Sequence, residues 1–241
     1  MPGLYRDEGV VLRTYKLGEA DRIVVLATAE HGKVRAVAKG VRKTKSKFGS
    51  RLEPLSHVAL QLYEGRNLDT VTQVESIDTF RPIREDLDRY GAAIGVLEVV
   101  DQIAMEGESD RRRYAMLVGV LRTIAENENP LVVPAFHLKL LAHEGFQPEV
   151  DACVSCGASD PLVAIDLIHG GMLCQDCRQG RKVSPEALRL LRAILGGGLA
   201  SVLAEEPSPA VAEVGAIATE AVEHHLERRL RVPGLLDHHR L

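Results

Sequence analysis

Four cysteines carry the most specific chemistry in this chain. They fall as Cys153-x-x-Cys156 and Cys174-x-x-Cys177, with seventeen residues between the pairs. Each pair can offer two thiolates from one tight turn, and this spacing is that of a tetrahedral zinc site. Gly157 follows the second cysteine directly, where a turn can bring backbone N–H groups toward sulfur. A pair of disulfides or a redox-active C-x-x-C are the other chemistries open to these residues. Four thiolates would close the coordination sphere and leave no position for water or substrate, so one structural zinc ion per chain is expected. His169 lies between the pairs but reads as a solvated loop side chain. A zinc deaminase is excluded by its own signature: Ala152 precedes Cys153, and His143 and Glu144 are adjacent.

A second constellation is electrostatic. Between Gly32 and Glu53, Lys33, Arg35, Lys39, Arg42, Lys43, Lys45, Lys47 and Arg51 give eight positive charges and no acid. The chain as a whole has a net charge of −4. A cationic run with Phe48 inside it and Tyr15 and Tyr63 on neighbouring segments is the pattern of a polyanion-binding surface with aromatic platforms. The plainer reading is a solvated loop. Nothing in the run implies base-specific readout. Signatures for nucleotide hydrolysis (G-x-x-x-x-G-K-[ST]), serine hydrolysis (G-x-S-x-G) and zinc proteolysis (H-E-x-x-H) do not occur, so no enzyme is expected.

The elements that position these residues change character near residue 80. GVVLRTYKL (9–17), RIVVLAT (22–28), KVRAVAK (33–39), LSHVALQLYEG (55–65) and LDTVTQVES (68–76) read as five short strands with turns between them. Five strands in that span predict a small barrel, an OB-fold first and an SH3-like barrel second. From Pro82 the apolar spacing becomes helical: Leu87, Tyr90, Ile94, Leu97, Val100 and Ile103 mark a helix over Ile83–Met105. Further helices are predicted over Arg111–Glu126, Pro134–Glu144, Ser184–Leu195 and Ala210–Leu230. Ser184-Pro185-Glu186 supplies an N-cap, a proline at the first helical position and an early acid. The expected organisation is a five-stranded OB-fold nucleic-acid-binding domain over 1–80, then an all-α domain over 81–241 with a zinc-binding insertion at about 150–180. Charge follows the same division, +3 for residues 1–80 and −7 for 81–241. No apolar run approaches the roughly 18 residues of a membrane span, and the charged N-terminus is no signal peptide, so a cytoplasmic protein is expected.

The stretch GVVLRTYKLGEADRIVVLATAEHGKVRAVAKGVRKTKSKFGSRLEPL resembles the N-terminal barrel of the RecO family of bacterial recombination mediators. The matching elements are Gly18-Glu19-x-Asp21, Thr28, Gly32, Lys39-Gly40-x-Arg42, Ser46 and Leu52-x-Pro54. LKLLAHEGFQPEVDACVSCG is similar to the helix leading into that family's zinc segment. The resemblance implies binding to single- and double-stranded DNA, annealing of complementary strands, and action with RecR to load RecA onto strands coated by single-stranded DNA-binding protein (SSB). It implies a contact with the acidic C-terminal tail of SSB in the helical domain, association with the nucleoid, and a zinc ion that is architectural. The rival from another class is a zinc-ribbon transcription regulator, kept open by Arg178, Arg181 and Lys182 beside the cysteines.

Overall fold

The computed structural model describes residues 3–46 and 48–231. These form two compact units, one of residues 3–126 with Arg231 and one of Asn127–Leu230. The first unit opens with β1 (Leu4–Leu17), β2 (Asp21–Thr28), β3 (Gly32–Ala38), β4 (His57–Tyr63) and β5 (Asp69–Asp78). They close into a barrel in the order β1-β2-β3-β5-β4, the five-strand barrel the spacing predicts. Closure depends on one short parallel contact, Ala36 with Asp69 and Val37 with Thr70. Strand β1 begins at Leu4, five residues before the expected start, because Leu4–Asp7 pair with Leu60–Tyr63 of β4. Inward-pointing Val24, Leu26, Val34, Ala36, Ala38, Val58, Leu60 and Leu62 make the aliphatic core. Alternation therefore turns Ile23, Arg35 and Val37 outward.

Helix α1 (Arg81–Arg84) is a single turn, and α2 (Leu87–Ile103) starts anew. The break falls at Asp86, whose carboxylate accepts from the Arg89 N–H at 2.8 Å as an N-cap. The buried face of α2 runs through Ala93, Val96, Leu97, Val99 and Val100, while Leu87 and Tyr90 of the expected stripe stand in solvent. Helix α3 (Arg111–Glu126) follows at the expected residues. Gly32 fixes the fit of this segment on the barrel: its φ is +68°, and a Cβ there would lie 2.1 Å from the Glu108 carbonyl oxygen. On α2, Asp101 is buried and receives Arg13 Nε at 2.9 Å, while its backbone carbonyl accepts from Lys33 Nζ at 2.7 Å.

The second unit contains α4 (Val132–His143), then a three-stranded sheet of β6 (Leu162–Asp166), β7 (Gly171–Cys174) and β8 (Arg181–Lys182) in the order β7-β6-β8. Helices α5 (Pro185–Leu195), α6 (Leu199–Val202) and α7 (Pro209–His225) complete it. Ser184 caps α5 as expected, its hydroxyl accepting from the Ala187 N–H, and Ser208 caps α7 in the same way. One core joins the sheet to the helices: Leu138 of α4, Leu162 and Met172 of the sheet, Leu191 of α5, and Val214 and Ile217 of α7. Among the described residues no helix is long and apolar enough to cross a membrane.

Helix α4 also buries a histidine. His137 is almost wholly enclosed, its Nε2 has no hydrogen-bond partner among the described residues, and burial pushes its pKa down to about 4. An unfolded histidine titrates near 6.5, so between those values the unfolded chain binds the extra proton. Stability is then complete above the unfolded value and falls as pH drops toward the folded one, by roughly 3 kcal/mol between pH 7 and pH 4. Calorimetric melting at those two pH values should show this loss in the wild type. His137→Leu should reduce the acid sensitivity by about that amount, and an unchanged profile would remove His137 as its source.

Candidate nucleic-acid interface and metal centre

The basic segment between β3 and β4 is pinned at both ends. Asp21, at the start of β2, accepts from the Gly40 N–H at 2.7 Å, and the Ala20 carbonyl accepts from the Arg42 N–H at 3.0 Å. The Arg42 guanidinium adds a bond to the Gly18 carbonyl at 3.2 Å. Gly40 allows this return with a φ of +68°. Farther along, Phe48 and Leu52 drop into the barrel core, and Arg22 of β2 pairs with Glu53. The loop therefore lies against the β1–β2 turn, one of the two loops that border the ligand face of an OB barrel. The other is the β4–β5 loop, residues 64–68, which carries Arg66.

Lys39, Arg42, Lys43 and Lys45 are exposed along this pinned loop, and Arg51 is exposed beyond it. Lys47 lies outside the described residues. Lys33 and Arg35 stand apart from that group. Lys33 is held by Asp101, 3.7 Å from its carboxylate, and Arg35 is 3.5 Å from Glu106 in an exposed pair. An exposed pair of that kind holds its arginine by no more than about 1 kcal/mol. Phe48 is a correction to the aromatic reading: it is a core side chain at 1% exposure and offers no stacking surface. Tyr15 keeps a half-exposed ring on the outer face, with the Arg13 guanidinium 5.0 Å from its centroid. Register places Arg13, Val25 and Arg35 in one row across β1, β2 and β3, and Tyr15, Ile23 and Val37 in the next. Arg13 and Arg66 are cations that the sequence reading missed, and of the two Arg13 is engaged by Asp101 at 2.9 Å, as Lys33 is at 3.7 Å. Strand alternation was the available signal for Arg13, and a loop position gives none for Arg66.

The four cysteines come together. Their sulfur atoms all lie within 4.8 Å of one another, all four thiols are free, and Cys156 Sγ is 3.7 Å from Cys174 Sγ. A disulfide would need about 2.0 Å. A tetrahedral ion with sulfurs at about 2.3 Å sets them roughly 3.8 Å apart, which matches. The Gly157 N–H closes the first turn on the Cys153 carbonyl rather than on sulfur, while the Ala158 and Cys174 N–H groups reach Cys156 and Cys153 sulfur. The Cys174 N–H helps bring the Cys153 thiol down to about 6. The Ala158 N–H favours the Cys156 thiolate too, but the crowded sulfurs of Cys153, Cys174 and Cys177 outweigh it and push that thiol up. Four sulfurs brought this close are a donor set that a bound cation would complete. The residues fit a metal, and the cluster could hold one.

His169 sits outside the cluster and donates to Asp166 at 2.8 Å, holding that carboxyl below its ordinary range. Beside the cysteines, Arg178 lies in a loop and Lys182 ends the short strand β8. Arg181 pairs with Glu220 at 2.8 Å. Arg178, Arg181 and Lys182 therefore lie on no helix, which removes the main support for the transcription-regulator reading.

Comparison with known proteins gives the same direction. The model for "Recombination protein O N terminal" matches residues 1–80, and that for "Recombination protein O C terminal" matches residues 84–233. A protein of Nocardioides sp. (strain ATCC BAA-499 / JS614) named DNA repair protein RecO is 45% identical over 239 residues, covering 95% of this chain and 97% of that relative. One of the same name in Streptomyces coelicolor is 45% identical over 240 residues, covering 95% and 96%. With a closed five-stranded barrel, a helical region and a four-cysteine cluster in the expected order, the chain belongs to the recombination protein O (RecO) family, whose named members are DNA repair proteins.

Proposed function

We propose that this chain is a mediator of DNA repair and homologous recombination in the RecF pathway. It binds single- and double-stranded DNA, anneals complementary strands, and helps RecR load RecA onto SSB-coated single strands. The supporting observation is the pinned loop, where exposed Lys39, Arg42, Lys43 and Lys45 are held beside the ligand face of the barrel by bonds from the loop backbone to Ala20 and Asp21. In this reading residues 1–80 bind DNA through those cations with Lys47 and Arg51. Arg35 exchanges its exposed carboxylate for phosphate, and Lys33 stays a weaker contributor because Asp101 holds it. Residues 81–241 carry the helices, the partner contacts and the metal segment.

No turnover is needed. Lysine and arginine side chains displace the counterions of one strand and lower its repulsion for a second, which is what annealing requires. A second contact to SSB on the same molecule would raise the local concentration of coated strand. The ion at Cys153, Cys156, Cys174 and Cys177 is inferred to be zinc, and it fixes the fold of its segment without meeting DNA. A fluorescence-transfer annealing assay with two complementary oligonucleotides tests the function directly. The expected result is at least about tenfold acceleration without any nucleotide cofactor, persisting on SSB-coated strands. An unaccelerated rate on both naked and coated strands would overturn the mediator reading.

A further inference from the structure

In the second unit two large apolar side chains stand well into solvent, Phe146 at 59% and Ile168 at 78% exposure. Singly, such residues need no explanation. Here both line the same groove, of about 850 Å³, formed by the segment after α4, the β6–β7 turn and the end of α7. Leu141, Leu167 and Ala221 contribute further apolar lining. The Phe146 ring lies against His225 with centroids 4.1 Å apart, so one wall has a defined aromatic surface. Apolar side chains line it together with a defined polar set, Gln147, Glu223, His224, His225 and Glu227, and that combination is the usual make-up of a binding site.

Charge selects the occupant. The charged side chains in the lining are Glu223 and Glu227, with no lysine or arginine among them. Glu227 is exposed at the rim, and Glu223 accepts from the Leu230 N–H at 2.8 Å, which holds its carboxylate in place. Phosphate or an acidic peptide tail would meet two negative charges here, whereas a lysine or arginine would be paired. We propose that this groove docks a segment of a partner protein in which an aliphatic or aromatic side chain is flanked by lysine or arginine. The site shares no residue with the proposed DNA interface and is opposite to it in sign. It also means that an acidic tail such as that of SSB binds elsewhere on the chain.

The test uses the full chain at pH 7.5. A labelled six-residue peptide with Leu-Phe between pairs of Lys and Arg is titrated by fluorescence anisotropy, beside the same peptide with Glu in place of every cation. The cationic peptide should bind at least about tenfold more tightly. Ile168→Ser and Glu227→Lys should each weaken it about fivefold or more, with melting and affinity for DNA unchanged, because both side chains stand at the surface. Equal binding of the two peptides, or wild-type binding by Ile168→Ser, would overturn the proposal. A concentration-dependent dimer abolished by Ile168→Ser would also overturn it, by assigning the groove to a second copy of the chain.

Discussion

Treating the reduced protein with a zinc chelator should melt residues 150–183 and destabilise the whole second unit. Strands β6, β7 and β8 have five, four and two residues, too little sheet to stand alone. What holds them is the packing of Leu162, Ala164, Ile165, Met172 and Leu173 on the helices, and Cys153 and Cys174 are part of that core. Without a cation the four sulfurs are left crowded within 4.8 Å. Zinc sites of this kind contribute an apparent 10–16 kcal/mol, roughly the whole stability of a domain. Hydrogen exchange with and without chelator should therefore show backbone protection collapsing over 150–183 and weakening in α5 and α7. Cys153→Ser with Cys156→Ser should reproduce it, and elemental analysis of the wild type should find one zinc per chain. A metal-free double variant with unchanged protection would show the cluster to be dispensable.

Reversing Lys39, Arg42 and Lys43 to Glu should cost at least about a hundredfold in affinity for single-stranded DNA near 0.1 M salt. Each lost phosphate contact removes about 0.7 from the salt exponent, so three contacts alone give a factor of that order, and repulsion by the new carboxylates adds to it. The three side chains are exposed and the core under the loop is supplied by Phe48 and Leu52, so the barrel should stay folded. Arg42 also bonds the Gly18 carbonyl, but the loop keeps its backbone anchors at Asp21 and Ala20. Far-ultraviolet circular dichroism and melting should match wild type. A matched fold with wild-type affinity would remove the loop from the interface.

The motifs that carried the family resemblance have a common physical basis. Asp21 and Gly40 hydrogen-bond each other, Thr28 accepts from the His31 N–H and donates to the Gly32 carbonyl, and Leu52 anchors the loop in the core. Local chemistry of that sort was legible in the chain, as were the cysteine spacing and the Ser184 cap. Tertiary decisions were not. Phe48 inside a basic run reads as a stacking platform, and only the closing barrel shows that it fills the interior. Leu87 and Tyr90 fit a helical stripe, yet the N-cap at Asp86 and the packing of α2 leave them in solvent. Lys33 and Arg35 counted as free cations until α2 and the residues after it brought Asp101 and Glu106 to them. The small sheet behind the cysteines was hidden because its strands are too short for a periodic signal and β8 is polar.

If the barrel loop binds the phosphate backbone, the number of phosphates it contacts sets how steeply binding weakens with salt. Affinity for a fluorescent single-stranded oligonucleotide should be followed across a salt series, for wild type and the Lys39→Glu, Arg42→Glu, Lys43→Glu variant together. With about five phosphates contacted, log affinity should fall against log salt with a slope near −3.5, and the variant should flatten it by about 2. Negligible wild-type binding at low salt, or the same slope in both proteins, would contradict the account.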